Sequence, residues 1–234
     1  MATVKIGWSG GKDSTCAVMH HIKRGDKVKA VCYIPMFTKN IPLISRKHYH
    51  FILETADYFR HLGAEVYMVS GKTYYEYVTH IAKQGKHKGK IFGFPHFARG
   101  ACGFKRDSKL RALKELDVGF YDYESVGICA DEKARHKQLN DKKRSILVES
   151  GITQAGTRLY CEENNLLSPH YLNEWQKRDG CSLCPHASKM ERELWFLDYP
   201  EAVPIAIELQ ELVKQKRPDR TPLRGYKYFI EDGR

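Results

Sequence analysis

The residues whose types and spacing best suit chemistry are six in a row, Ser9-Gly10-Gly11-Lys12-Asp13-Ser14. Before them stands an apolar run over 4–8, too short for a helix and suited to a buried strand. After them Val18, Met19 and Ile22 recur at helical spacing. A strand, a Gly-rich turn and a helix in that order make an anion site. The glycines let backbone approach a ligand, and the helix N-terminus offers N–H groups and a favourable dipole. Lys12 adds a mobile cation suited to phosphate, and the Ser9 and Ser14 hydroxyls add neutral hydrogen bonds. Asp13 would repel a phosphate, so its expected work is to hold Mg²⁺ or to fix the loop by backbone hydrogen bonds. A plain tight turn would need neither the second glycine nor the Asp-Ser pair. Two phosphate motifs are excluded: Walker A requires Ser or Thr directly after Gly-Lys, where Asp13 stands, and GxGxxG is absent.

Two further groups of residues could act with this loop. Asp131, Glu132 and Arg135 follow an apolar run, at the expected carboxyl end of a parallel strand. Carboxylates there could hold Mg²⁺ and the arginine could bridge to phosphate, or the acids could simply favour the first turn of a helix. Cys181 and Cys184 have the CxxC spacing that lets two thiolates reach one metal, and Cys102 and Cys161 supply the count for a four-cysteine site. Zn²⁺ and a [4Fe–4S] cluster both accept four thiolates; a redox pair or an incidental spacing is the alternative. Cys16, Cys32 and Cys129 lie in apolar runs and read as core. Among eleven histidines, His96 and His186 stand nearest the proposed site, but nothing promotes them.

The elements that would position these groups alternate. Strands are expected over 29–35, 64–69 and 123–129, with helices over 47–61 and from Tyr74 onward. Gly63 sits where a helix C-cap belongs. Strand–helix alternation predicts an α/β fold, a twisted parallel sheet with helices on both faces. Residues 85–109 break the rhythm as a Gly-, Lys- and His-rich loop, with a helix expected over 108–116. Past 140 the pattern is helical: one helix capped by Thr153 and running to Asn164, one after Pro185 through Leu197, one from Pro200, then a basic tail. This gives a nucleotide-binding core over 1–150 and a helical, cysteine-containing extension over 151–234.

The whole chain sets bounds. At 234 residues, with 42% hydrophobic and 29% charged residues, it can bury a real core. No stretch reaches the ~18 apolar residues of a membrane span, and no export leader is visible, so no membrane partner and a cytoplasmic location are expected. A net charge of +11 suits polyanions, nucleotides at least and nucleic acid as a further partner.

Ser9-Gly10-Gly11-Lys12-Asp13-Ser14 resembles the SGGKDS signature of the PP-loop nucleotide enzymes, or ATP pyrophosphatases. Three more stretches resemble one branch, the phosphoadenosine phosphosulfate (PAPS) reductase family: GICADEKAR over 127–135, Cys102 within RGACGFKRDSK, and NLLSP followed by GCSLCP over 165–185. The resemblance spans roughly residues 4 to 200. It departs from the reductases in having no cysteine after Cys184, where they carry the thiol that attacks the sulfonate sulfur. Lys105 and Lys109 also flank the position where that family follows its cysteine with lysine. The chain looks closer to the branch found beside phage genes and DNA sulfur-modification enzymes. The resemblance implies an adenine nucleotide (ATP or an adenylyl sulfate), Mg²⁺ and adenylation of a substrate with release of pyrophosphate. It further implies a [4Fe–4S] cluster, with Zn²⁺ as the alternative, and a sulfur-donor protein or nucleic acid as partner; a homo-oligomer is possible. An adenylyl-sulfate reductase and a non-catalytic nucleotide- or nucleic-acid-binding module are the competing functions.

Overall fold

Val4, Ile6 and Trp8 alternate along β1 (Thr3–Trp8) and are buried, while Lys5 and Gly7 between them stay more open. A computed structural model describes residues 1–95, 97–98, 101–172, 181–184 and 187–219, with Phe97, Ala98 and Ala101 as backbone. His96, Pro185, His186 and the tail from residue 220 lie outside the described residues. After β1 come α1 (Lys12–Lys23), β2 (Lys27–Tyr33), α2 (Arg46–His61), β3 (Glu65–Val69) and α3 (Tyr74–Thr79). A two-residue pair, β4 (Phe97–Ala98) and β5 (Ala101–Cys102), leads into α4 (Gly103–Lys105), a π-helical turn (Arg106–Leu110) and α5 (Arg111–Glu115). Then follow β6 (Tyr123–Ser125), α6 (Lys133–His136), β7 (Lys143–Arg144), α7 (Ile146–Glu149) and α8 (Gln154–Glu163). A 3₁₀ turn (Pro169–Leu172), α9 (Lys189–Asp198) and α10 (Ala202–Lys216) complete the order. No helix among the described residues is long and apolar enough to cross a membrane.

The expected α/β fold is present. Five strands form a parallel sheet in the order β3-β2-β1-β6-β7. The chain winds from β1 outward through β2 to β3, then returns to β1's other side as β6. The carboxyl end of β1 is therefore a topological switch point, the place where open α/β sheets leave a crevice.

Local signals explain most boundaries. Gly63 takes φ +90°, and Ala64 N–H donates to Phe59 O at 3.0 Å, closing α2 as a glycine C-cap does. Thr153 caps α8 by accepting from Gly156 N–H at 3.2 Å. The strand expected over 123–129 stops earlier, at Ser125. Ile128 N–H bonds back to Val126 O at 2.9 Å, which turns the chain out of the sheet. The loop expected over 85–109 contains the β4–β5 pair, and the helix expected from 108 begins at Gly103.

The division expected at residue 150 is not where the chain separates. One compact unit comprises residues 1–33, 47–69 and 117–179; the other comprises 34–46, 70–116 and the chain from 180 onward. The first unit holds the sheet. In it Trp8 stacks edge-on against Phe59 with ring centroids 5.0 Å apart and donates from Nε1 to Thr15 Oγ1 at 3.0 Å. At the C-terminal end of α1, buried His21 lies between Asp26 Oδ2 and Ser125 Oγ, each 2.8 Å away. Arg24 donates to Asp26 and to the Tyr123 hydroxyl. The second unit has an aromatic core built from Phe37, Tyr74, Phe104, Trp195 and Phe196. Trp195 donates from Nε1 to Pro42 O at 2.9 Å. Capping boxes at Thr73/Glu76 and Ser188/Glu191 start α3 and α9.

Candidate phosphate site at the carboxyl end of β1

Ser9, Gly10 and Gly11 link β1 to α1 within the first unit. Gly10 takes φ +77°, and a Cβ there would stand 2.8 Å from both His48 Cε1 and Ile52 Cγ1. Only glycine meets both demands. Gly11 is the N-cap of α1 and supplies no side-chain acceptor to the first turn. Its carbonyl takes Thr15 N–H and the Ser14 hydroxyl, both at 3.0 Å. Ser9 N–H donates to Ser14 Oγ at 3.2 Å and Gly11 N–H to Ser9 Oγ at 3.3 Å. The two serines thus brace the turn from within. Gly127, on the segment leaving β6, lies so near α1 that a Cβ would fall 2.8 Å from Ser14 N. That glycine lets the chain close against the helix start.

Lys12 and Asp13 meet a third residue that the sequence did not single out. Lys12 Nζ stands 2.5 Å from Asp13 Oδ1 and 3.2 Å from Thr157 Oγ1. Thr157, fully buried on α8, has its hydroxyl 2.5 Å from the same Asp13 oxygen. Cys129 Sγ donates to that oxygen as well, at 3.2 Å. Asp13 is thus tied to side chains of α1, α8 and the Cys129 turn, and not to the loop backbone as expected. Burial first, then the Asp13 charge, pushes the Cys16 and Cys129 thiols up to about 12, so both stay protonated.

Asp131, Glu132 and Arg135 stand beside this arrangement as braces. Glu132 accepts Cys129 N–H at 2.9 Å on one oxygen and Arg135 Nη1 at 2.8 Å on the other. Asp131 accepts the N–H of Gln154, the first residue of α8, at 3.0 Å. These acids hold the Cys129 turn and the start of α8, which carries Thr157. They do not converge on a cation position: among the described residues no three His, Cys, Asp or Glu side chains gather to hold a metal ion.

The four cysteines expected to share a metal are divided between the two units. Cys161 belongs to the first unit and Cys102, Cys181 and Cys184 to the second. Cys161 is fully buried on α8, one turn beyond Thr157, with Sγ donating to Lys12 O at 3.4 Å. Burial, the neighbouring Cys16 and Asp13 push its thiol up to about 12. Cys102 and Cys181 pack against the aromatic core, and Cys184 N–H closes a turn on Cys181 O at 2.9 Å.

Residues 168–171 complete the site. Ser168 Oγ lies 2.6 Å from His48 Nδ1 and 2.8 Å from His170 Nδ1. His170 stacks on Tyr171 with centroids 3.8 Å apart, and the Tyr171 hydroxyl accepts Lys12 N–H at 3.3 Å. The "LLSP" resemblance drew attention to this stretch, but Tyr171, His48 and Thr157 carry no local spacing signal. No family model matches the chain, and no curated protein matches it.

Proposed function

We propose that this protein binds an adenine nucleotide by its phosphates at the Ser9–Ser14 loop and uses ATP to adenylate an acceptor, releasing pyrophosphate. The observation that carries the reading is the loop's place. A Gly-Gly turn and a helix start stand at the carboxyl end of the central strand, where the winding of the sheet reverses.

In this reading the start of α1 and Lys12 meet the phosphate chain, Gly10 gives the turn a left-handed bend where a Cβ would strike His48 and Ile52, and the serines hold the turn in shape. A nucleophile on the acceptor bonds to the α-phosphorus as the bond to the α,β-bridging oxygen breaks, and pyrophosphate leaves with that electron pair. Negative charge grows on the departing pyrophosphate, where fixed donors stabilise the transition state more than the ground state. The acceptor belongs to sulfur transfer or nucleic-acid modification by resemblance alone, and the +11 charge agrees with a polyanionic partner.

Calorimetric titration with ATP tests the reading. The wild-type protein is expected to bind ATP, and Lys12→Ala to weaken binding by roughly 10- to 100-fold, the loss of one charge-assisted contact. Equal affinity in the variant, or no binding by the wild type, would overturn it. Chromatography of products then separates adenylation, which yields AMP or adenylated acceptor with pyrophosphate, from hydrolysis to ADP.

A further inference from the structure

Thr157 sits 144 residues from Asp13 in sequence, yet its hydroxyl is the closest neutral donor to the Asp13 carboxylate. A threonine hydroxyl has one proton and two acceptor positions. Lys12 Nζ can only donate, so Thr157 Oγ1 accepts from it at 3.2 Å. The hydroxyl proton has two acceptors in reach, Asp13 Oδ1 at 2.5 Å and Gln154 O at 2.9 Å. The shorter, charge-assisted contact takes it. The result is a closed triangle: the ammonium donates to both partners, the hydroxyl donates to the carboxylate, and one ammonium proton remains for a ligand. Cys129 adds a donor to the same carboxylate oxygen, so Asp13 stays satisfied when Lys12 turns toward a phosphate.

We infer that Thr157 is a positioning residue for Lys12, setting where the ammonium stands to meet a bound phosphate; the inference rests on the nucleotide reading above. Without the hydroxyl, Lys12 loses its second acceptor and Asp13 its closest neutral donor, and the ammonium is left to pivot on its one contact with the carboxylate.

The test compares Thr157→Val, which replaces the hydroxyl by a methyl of similar size, with Thr157→Ser, which keeps Oγ. Titration with inorganic pyrophosphate and with ATP is expected to show affinity falling about tenfold in Thr157→Val and staying within about twofold of wild type in Thr157→Ser. Should Thr157→Val not fold, Thr157→Ala carries the same comparison. Trace acetylation of Lys12, read by peptide mass spectrometry without ligand, is expected to change rate by about twofold or more in the valine variant only. Wild-type affinity or wild-type Lys12 labelling in Thr157→Val overturns the inference alone. So does equal weakening in Thr157→Ser, which would assign the effect to shape and not to the hydroxyl. A wild-type protein that binds neither pyrophosphate nor ATP overturns the nucleotide reading and this inference with it.

Discussion

At the N-terminal end of α1, Lys12, Asp13 and Thr157 meet, with the lysine side chain 12% and the aspartate 28% exposed. At its C-terminal end, Asp26, His21 and Ser125 line up with the histidine at 0% and the aspartate at 4%. The second set has the residue types of a hydrolase triad, and it is fully enclosed: Ser125 is buried in β6 and no substrate can reach its hydroxyl. The first set has no familiar name, yet it opens beside a glycine turn at the switch point of the sheet. Residue types alone do not separate these two ends. Access and place in the topology do.

The sharpest way to break this contrast is to remove the enclosed histidine. His21→Ala takes one of three donors from the Asp26 carboxylate, removes the ring from the Ser125 hydroxyl and opens a cavity, and is expected to cost about 3 kcal/mol of stability, read by urea denaturation, with ATP affinity unchanged. A destabilisation under about 1 kcal/mol would show that the enclosed network is not structural. At the other end, Gly10→Ala forces φ +77° on a residue with a Cβ and drives that Cβ against His48 and Ile52. Expected are a stability cost of about 1–3 kcal/mol and a loss of nucleotide affinity larger than the stability change explains. Unchanged affinity would detach the turn from the ligand. The mildest probe is pH. Burial holds His21 below its ordinary pKa, despite the hydrogen bond to Asp26 that works the other way. The unfolded chain therefore takes up a proton near pH 6.5 that the folded chain refuses. Stability from this group is fully present above that pH and lost as pH falls below it, by at most about 1.4 kcal/mol per pH unit. Burial opposes the ionisation of Asp26, but hydrogen bonds from His21, the Ala2 amide and Arg24 outweigh it and hold its pKa down. That contribution disappears only as pH falls below the ordinary carboxylate range. Denaturation midpoints from pH 8 to 5 should fall for wild type and flatten for His21→Ala.

The sequence made the loop legible because its signal is local. Ser9 to Ser14 carry their glycines, cation and helix start in consecutive positions, and the structure builds them as expected. The Thr153 cap and the Gly63 stop were legible for the same reason. Asp131 and Glu132 were harder, since an acid beside a loop reads equally as a ligand or a brace; only their N–H partners, Gln154 and Cys129, decide between them. Thr157 was invisible. It is an ordinary β-branched residue inside a helix, and its meaning depends on α8 packing against the start of α1. The place of Cys161 beside Lys12 was not legible, because a count of thiols carries no information about what each one packs against.

The interleaving of the two units also bears on how the molecule comes into being. The sheet's central strand is made first, yet its neighbour β6 and the helix bearing Thr157 lie more than a hundred residues later. The segments of the second unit fall between and after them. A chain emerging from the ribosome cannot finish one unit before starting the other, so nascent β1 and β2 must wait with an open edge beside β1 until β6 is synthesised. Truncation at any residue in the middle would leave both units unfinished, and either unit expressed as a contiguous fragment would lack part of itself.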